Sequence, residues 1–528
     1  MREITKYHDT SKTVKERAKN KLFGAVYSHT AIILLLILLQ IGIMVLTFTY
    51  LGNYSTYMNG VISLLSFITA IYIFNEKGNP AFKMTWILFV FLVPVVGVGF
   101  YLFTKAGIGT KYLGARLEKL RVETEPYMQQ NEYVVHAMKG GRVANANLSH
   151  FLYNQVGFPT YGNSQAQYFP LGDDKFPILI EELNKAEKFI FMEYFIIGEG
   201  YVWDTVLEVL RKKVKEGVEV RLMYDGTCSI SLLPYEYPKQ LREYGIQCKE
   251  FGPIVPILST SQNNRDHRKI CVIDGKVAFT GGVNLADEYI NKKVRFGHWK
   301  DTGVRIHGEA VFNFSMMFLE MWNAFREPET DFKAFDPHRW HPEPFESDGY
   351  VVPYSDTPLD FEELGENVYI NILNQAKDYV YIATPYLLIS DEMENALCTA
   401  AKRGVDVRIL MPGIPDKPMV FYMAKSYYPP LLRAGVKIYE YTPGFVHAKS
   451  YVCDDRIATV GTINMDFRSL YLHFECGTLL YGCKAVMDVK KDMEECFPKC
   501  HEVTMGDCRQ GVIGDLLTSV LRVLAPLM

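Results

Sequence analysis

Two stretches of the chain, 180 residues apart, carry the same spaced residues, and any fold must accommodate both. HRKICVIDGKVAFTGGVN runs from His267 to Asn284, and HAKSYVCDDRIATVGTIN from His447 to Asn464. In each, a histidine is followed by lysine at +2, aspartate at +7, glycine at +14 and asparagine at +17. The intervening residues are largely apolar and read as buried strand. Side chains alternate faces along a strand, so His267 and Lys269 point the same way, as do His447 and Lys449. Asp274 and Asp454 fall beyond it, at strand–turn–strand junctions (DGKV and DDRI), where a carboxylate holds backbone amides.

The duplication extends beyond these motifs. KEGVEVR at 215–221 recurs as KRGVDVR at 402–408, and each runs into an apolar segment, RLMYDG or RILMPG. Gly217 and Gly404 stand where a helix ends on a C-cap glycine. LREYGIQCKEF at 241–251 is echoed by LRAGVKIYEY at 432–441. Helical periodicity alternating with short β-branched runs predicts an α/β fold with helices covering a sheet. The prediction is two pseudo-symmetric halves, 161–345 and 346–505, forming one catalytic body.

Two histidines, two lysines and two asparagines meeting across a pseudo-twofold axis make a site for one phosphodiester. One histidine attacks phosphorus. The other protonates the leaving oxygen and later deprotonates the incoming one. Lys269, Lys449, Asn284 and Asn464 stabilise the phosphoryl oxygens, as metals do elsewhere. Two histidines alone are poor zinc ligation, and a lysine beside each repels a cation. The expectation is therefore no metal and no cofactor.

The N-terminal part reads differently. Uncharged apolar runs cover Ala31–Tyr50, Tyr57–Phe74 and Met84–Phe103. Twenty residues of helix reach ~30 Å, the hydrocarbon thickness of a bilayer. This predicts a membrane region at 23–104 with two or three spanning helices, after a basic segment at 1–22. Residues 1–22 hold seven Lys/Arg and the loop 51–56 none, which puts the N-terminus inside. Lys105, Lys111, Arg116, Lys119 and Arg121 also belong inside, which three full spans cannot satisfy. Either the third run, broken by Pro94, Gly97 and Gly99, is re-entrant or interfacial, or the large domain faces outward. The reading favours the cytoplasmic face.

Charge separates the same two parts. Residues 1–121 sum to +9, within a chain of −4, so the remainder is −13. A basic zone beside apolar runs suits anionic lipid, whereas an acidic body argues against nucleic acid. Residues 105–160 read as a polar juxtamembrane linker. The segment 506–528 reads as an amphipathic helix, with Leu516, Leu517, Val520, Leu521 and Leu524 on one stripe. The ten cysteines form no C-x-x-C pair, and they read as reduced, mostly buried thiols.

The paired motifs resemble the HKD motif of the phospholipase D superfamily, and within it the chain resembles the bacterial cardiolipin synthases. The likeness covers residue 57 to the end. It includes NPAFKMTWILFVFLVPVVGVGFYLF at the membrane, EYF at 193–195, HWKD at 298–301, TPY at 384–386 and INMDFRSLYLHFE at 463–475. The resemblance implies two phospholipase D-like α-β-α halves. It also implies transfer of a phosphatidyl group between two phosphatidylglycerol molecules, releasing glycerol through a phosphohistidine. By the same likeness His267 is the nucleophile and His447 the general acid/base. Asp301 and Glu475 orient the histidines, and Asp274 and Asp454 match the motif aspartates, closer to scaffold than to chemistry. Gly282 and Thr462 stand where the family often has serine, and His473 where it often has asparagine. His473 reads as solvent-facing or core in preference to site edge. The alternatives are a phospholipase D-type hydrolase, a nuclease and an idle membrane scaffold. The expected partners are the bilayer and two phosphatidylglycerols; the oligomeric state, a homodimer included, is left open.

Overall fold

The computed structural model describes residues 55–141, 143–234, 236–252, 263–325, 331–360 and 362–508, with Gly42, Gly514, 521–523 and 525–527. The first apolar run, the basic segment 1–22 and most of the C-terminal leucine stripe lie outside the described residues.

The central strands are apolar on both faces, as strands covered by helices on two sides must be. Phe189–Tyr194, Lys269–Ile273 and Val277–Gly281 are buried at every position. They sit within a seven-stranded sheet ordered Ser164–Phe169, Gly303–Gly308, Val277–Gly281, Lys269–Ile273, Phe189–Tyr194, Glu219–Asp225, Gln247–Phe251. A second sheet runs Tyr350–Asp356, His473–Tyr481, Ile457–Gly461, Ser450–Cys453, Tyr379–Ala383, Asp406–Pro412, Lys437–Tyr441. Strand for strand it repeats the first, with Cys500–Glu502 added at the Lys437–Tyr441 edge. Gly217 and Gly404 precede equivalent strands with φ of 89° and 93°, a backbone that a β-carbon disfavours.

Helices Gly172–Lys185 and Tyr201–Lys215 cover one face of the first sheet through Leu179, Leu183, Trp203 and Val206. Helix Val311–Ala324 packs on the other face and is buried over nearly its whole length. Phe318 on that helix stacks on Phe191 at 4.7 Å between centroids. Each such burial contributes about 1.5–3 kcal/mol.

The stretch 105–160 is not an irregular linker. It holds helices Ile108–Thr124, Glu132–Gly141 and Val143–Val156, and the first of these packs on Val311–Ala324. Arg116 donates to the Asn323 carbonyl and Thr124 to Glu320. A charged helix with a single packed stripe reads as polar loop when only its composition is weighed.

One described helix, Tyr57–Asn75, is long and apolar enough to cross a bilayer. The third apolar run is broken into Pro80–Leu92 and Pro94–Ala106. Pro94 has no N–H to continue the first helix and starts the second. At thirteen residues each arm reaches ~20 Å, short of ~30 Å. The arms pack as a hairpin, with Gly97 so close that a β-carbon there meets Val90 Cα at 2.7 Å. The hairpin docks on the body. Asn79 donates to the Tyr471 hydroxyl at 2.8 Å, and Phe82 lies edge-on to Phe467 and Tyr471. Of the C-terminal stripe, Leu521 is described and packs on the core; neighbouring Arg522 pairs with Glu394, and the Val523 carbonyl accepts from Thr85 of the hairpin.

Candidate active site

Each motif histidine is held by a strand from the other half. Arg265–Asp266 pairs in parallel with His473–Phe474, and the His267 N–H donates to the Phe474 carbonyl at 2.9 Å. Gly444–Val446 pairs in parallel with His298–Lys300, and the His447 N–H donates to the Lys300 carbonyl at 2.7 Å. These crossed pairings bring each carboxylate to the opposite histidine. His267 Nδ1 lies 2.9 Å from both oxygens of Glu475. His447 Nδ1 lies 2.7 Å from Asp301 Oδ2. A carboxylate accepts, so Nδ1 carries the proton and each Nε2 keeps its lone pair.

The supports of the two carboxylates differ. Glu475 also accepts from Thr462 Oγ1 and Ser469 Oγ, each at 2.5 Å. Asp301 also accepts from the Thr302 N–H at 2.8 Å. Gly282 occupies the position equivalent to Thr462, and a β-carbon there would lie 2.0 Å from Asp301 Oδ1.

The ammonium of Lys269 donates to the His267 carbonyl and that of Lys449 to the His447 carbonyl. Asn284 accepts from the Ile196 N–H at 2.9 Å, which leaves its amide nitrogen buried without a protein partner. Asn464 donates its backbone N–H to Ser469 Oγ at 2.8 Å, and its side-chain oxygen is buried without a partner. Unpaired buried polar atoms are costly in a folded chain and mark a place for a polar ligand.

Burial dominates the electrostatics. It pushes His267 well below the ordinary imidazole range, and the Lys269 and Lys449 charges push further. His447 is depressed to about 4 by burial and Lys449, with Asp301 opposing. Lys269 falls to about 8 and Lys449 to about 7, burial again leading. Burial pushes Asp301 upward, but the adjacent His447 and then Lys449 hold it below the usual carboxylate range.

Asp274 and Asp454 take no part in this cluster. Asp274 accepts from the N–H groups of Glu187, Lys188 and Phe189 at 2.8–3.0 Å. Asp454 accepts from those of Lys377, Asp378 and Tyr379 at 2.9–3.0 Å. With φ near 50° at both, these aspartates clamp equivalent strand starts.

His473 lies at the site edge and not on solvent or in the core. Its ring centroid is 5.5 Å from that of His267, and its Nδ1 is 3.7 Å from Glu475. His267, His473 and Glu475 bring three potential ligand atoms within 4.8 Å of one another. The flanking Lys269 and Lys449 charges oppose a cation there. Sequence reasoning missed Ser469, Phe195, packed edge-on to His267 at 4.8 Å, and Tyr289, 5.5 Å from the His447 ring. Among the described residues the ten cysteines are all free thiols, eight of them buried.

Comparison with known proteins follows the same lines. A family described as cardiolipin synthase, phospholipase D-like domain, matches residues 179–316 and 369–497. A second, phospholipase D-nuclease N-terminal, matches 64–105. The chain is 35% identical to a cardiolipin synthase of Alkalihalophilus pseudofirmus over 84% of this chain and 88% of that one. It is 48% identical to an uncharacterized protein of Streptococcus mutans over 87% of this chain and 99% of that one. Its fold is similar to the crystal structure of a phosphatidylserine synthase from Haemophilus influenzae, with TM-score 0.54 and 15% identity over 73% of this chain and 98% of that one.

Proposed function

The chain belongs to the cardiolipin synthases of the phospholipase D superfamily, and from that premise we propose how its paired site works. It is a phosphatidyltransferase that joins two phosphatidylglycerols into cardiolipin and releases glycerol. The observation that carries the mechanism is the crossed pair of histidine–carboxylate bonds, which fixes the proton on Nδ1 of two buried histidines within reach of the Lys269 and Lys449 charges.

His267 Nε2 attacks phosphorus of the first phosphatidylglycerol while His447, protonated, delivers its proton to the departing glycerol oxygen. The product is a phosphatidyl–His267 bond. His447, now neutral, takes the proton from a glycerol hydroxyl of the second lipid. That oxygen attacks phosphorus and releases His267. Lys269, Lys449 and the Asn284 amide hold the phosphoryl oxygens. The division of labour rests on the unequal carboxylates. Glu475 shares its charge among three donors, so it stabilises an imidazolium less and leaves His267 a neutral nucleophile. Asp301 has fewer donors and keeps His447 the more basic of the two. An anionic phosphodiester between the lysines offsets their charge and raises His447 from its depressed resting value.

The halves at 161–345 and 346–505 form one catalytic body on a membrane anchor. Tyr57–Asn75 spans the bilayer, the hairpin from Pro80 to Ala106 is re-entrant, and the first apolar run supplies the other span by its composition. Two spans and a hairpin place residues 1–22 and the cluster from Lys105 to Arg121 on the same, cytoplasmic side, as their charge requires.

The test supplies labelled phosphatidylglycerol to the purified full-length protein in detergent. Cardiolipin plus glycerol is the expected product. Phosphatidic acid as the main product would make the protein a hydrolase with the same intermediate.

A further inference from the structure

A carboxylate beside the acid/base half has an unused acceptor. Asp416 Oδ2 accepts from the Tyr386 hydroxyl at 2.7 Å, while Asp416 Oδ1 is buried with no hydrogen-bond partner. A carboxylate oxygen removed from water without a donor costs free energy unless a ligand supplies one.

Its place in the fold ties it to the acid/base half. The N–H groups of Gly413 and Ile414 both donate to the Gly444 carbonyl at 3.1 Å, and Gly444–Val446 leads directly into His447. On its other side, Thr384 Oγ1 donates to the Tyr386 carbonyl and accepts from the Met465 N–H, next to Asn464. The Asp416 charge is felt at Lys449 and at Tyr289, which packs on the His447 ring. Beside it, exposed Lys417 holds its ammonium 4.8 Å from the centre of the Tyr386 ring, and its charge reaches His267.

We propose that Asp416 and Lys417 form the subsite for the acceptor headgroup, the polyol of an anionic phospholipid. This rests on the transferase reading above. The acceptor must bring one hydroxyl to His447. Asp416 Oδ1 accepts a hydrogen bond from the neighbouring hydroxyl of the same glycerol, and Lys417 meets the acceptor's own phosphate. No bond is made or broken by either residue; they select which alcohol enters.

The experiment uses full-length enzyme in detergent with labelled phosphatidylglycerol as donor and an equimolar mixture of 1,2-propanediol and 1-propanol as acceptors. Both products come from one phosphoenzyme pool, so their ratio is set after the donor step. Wild type should favour the diol roughly ten- to a hundredfold, the range of one hydrogen bond to a charged group. Asp416→Ala should bring the ratio near one. Asp416→Asn, which keeps the shape and one acceptor oxygen, should fall between and serves if the alanine variant does not fold. Lys417→Ala should raise KM for phosphatidylglycerol as acceptor several-fold and leave that for the uncharged diol unchanged. An Asp416→Ala or Asp416→Asn ratio equal to wild type overturns the subsite while leaving the transferase intact. A wild type yielding only phosphatidic acid overturns the transferase reading, and this subsite with it.

Discussion

The two halves present nearly the same ligands to phosphate and support them unequally. Histidine, lysine and asparagine are repeated at identical spacing, and each histidine is bound by a carboxylate of the other half. Behind these, the first half has Asp301 beside a bare glycine, and the second has the longer Glu475 held by Thr462 and Ser469. A β-carbon at 282 would lie 2.0 Å from Asp301 Oδ1, so a side chain there would displace the carboxylate. A twofold site reacting with one phosphorus needs one nucleophile and one proton carrier. Duplication alone yields two equivalent histidines. The difference between them is built in the layer behind.

The sharpest way to break this comparison is to find where the phosphatidyl group is attached. Enzyme quenched in acid-free denaturant during turnover, then digested, should carry the label on the peptide containing His267. Label on the His447 peptide reverses the assignment. His267→Ala and His447→Ala should each lower turnover on the order of 10³-fold or more, because groups acting as one unit fail together.

A second comparison exchanges the supports. Gly282→Ala forces a β-carbon into Asp301 and displaces the carboxylate from His447. Misplacing a catalytic group by about 1 Å costs ~10²-fold in kcat. Thr462→Gly removes one of three donors to Glu475 and should cost about fivefold, near 1 kcal/mol. Equal losses in the two variants would mean that the unequal supports have no catalytic consequence.

Where the halves are alike, variants should behave alike. Asp274→Asn and Asp454→Asn each weaken a clamp on three backbone N–H groups. Each should lower stability by about 1–3 kcal/mol, read as matching shifts in thermal midpoint, with kcat of folded enzyme changed less than about threefold. A far larger kcat loss in either would return that aspartate to the chemistry.

Much of this arrangement is legible in the sequence because it is local. The spacing of His267 to Lys269 and the glycines at 217 and 404 follow from strand alternation and helix ends. The proline at 94 is visible as the break that divides the third apolar run. What crosses the molecule is not legible in the same way. The bonds of His267 to Glu475 and His447 to Asp301 join residues 208 and 146 positions apart, set by strand pairings that no local pattern encodes. Ser469 falls inside the run INMDFRSLYLHFE, but its role has no local signal, since a serine at the start of a short helix reads as an ordinary helix residue. His473 reads as solvent-facing or core in the sequence because only the pairing with Arg265 carries it beside His267. Helix Ile108–Thr124 is masked by its charge, while Glu132–Gly141 is short and Val143–Val156 lacks a strong apolar stripe.

The smallest expected effect separates the two lysines. Both are buried, and burial depresses Lys269 to about 8 and Lys449 to about 7, with Lys269 adding to the depression of Lys449. An unfolded lysine keeps its proton up to about 10.4. Between pH 7 and 10 the unfolded chain therefore binds more protons than the folded one, and these two sites make stability rise with pH. Catalysis runs the other way, because phosphate binding needs the ammonium. Beyond the fall already set by the depressed His447, the kcat/KM profile, which reports the free enzyme, should decline as Lys449 loses its proton and again as Lys269 does. Lys449→Met should remove the earlier of these two declines and leave the later one. Thermal midpoints and kcat/KM measured in the same buffers should thus diverge across this range. If the midpoint does not rise and kcat/KM shows neither lysine decline across this range, both lysines are still charged there, and burial depresses them less than this.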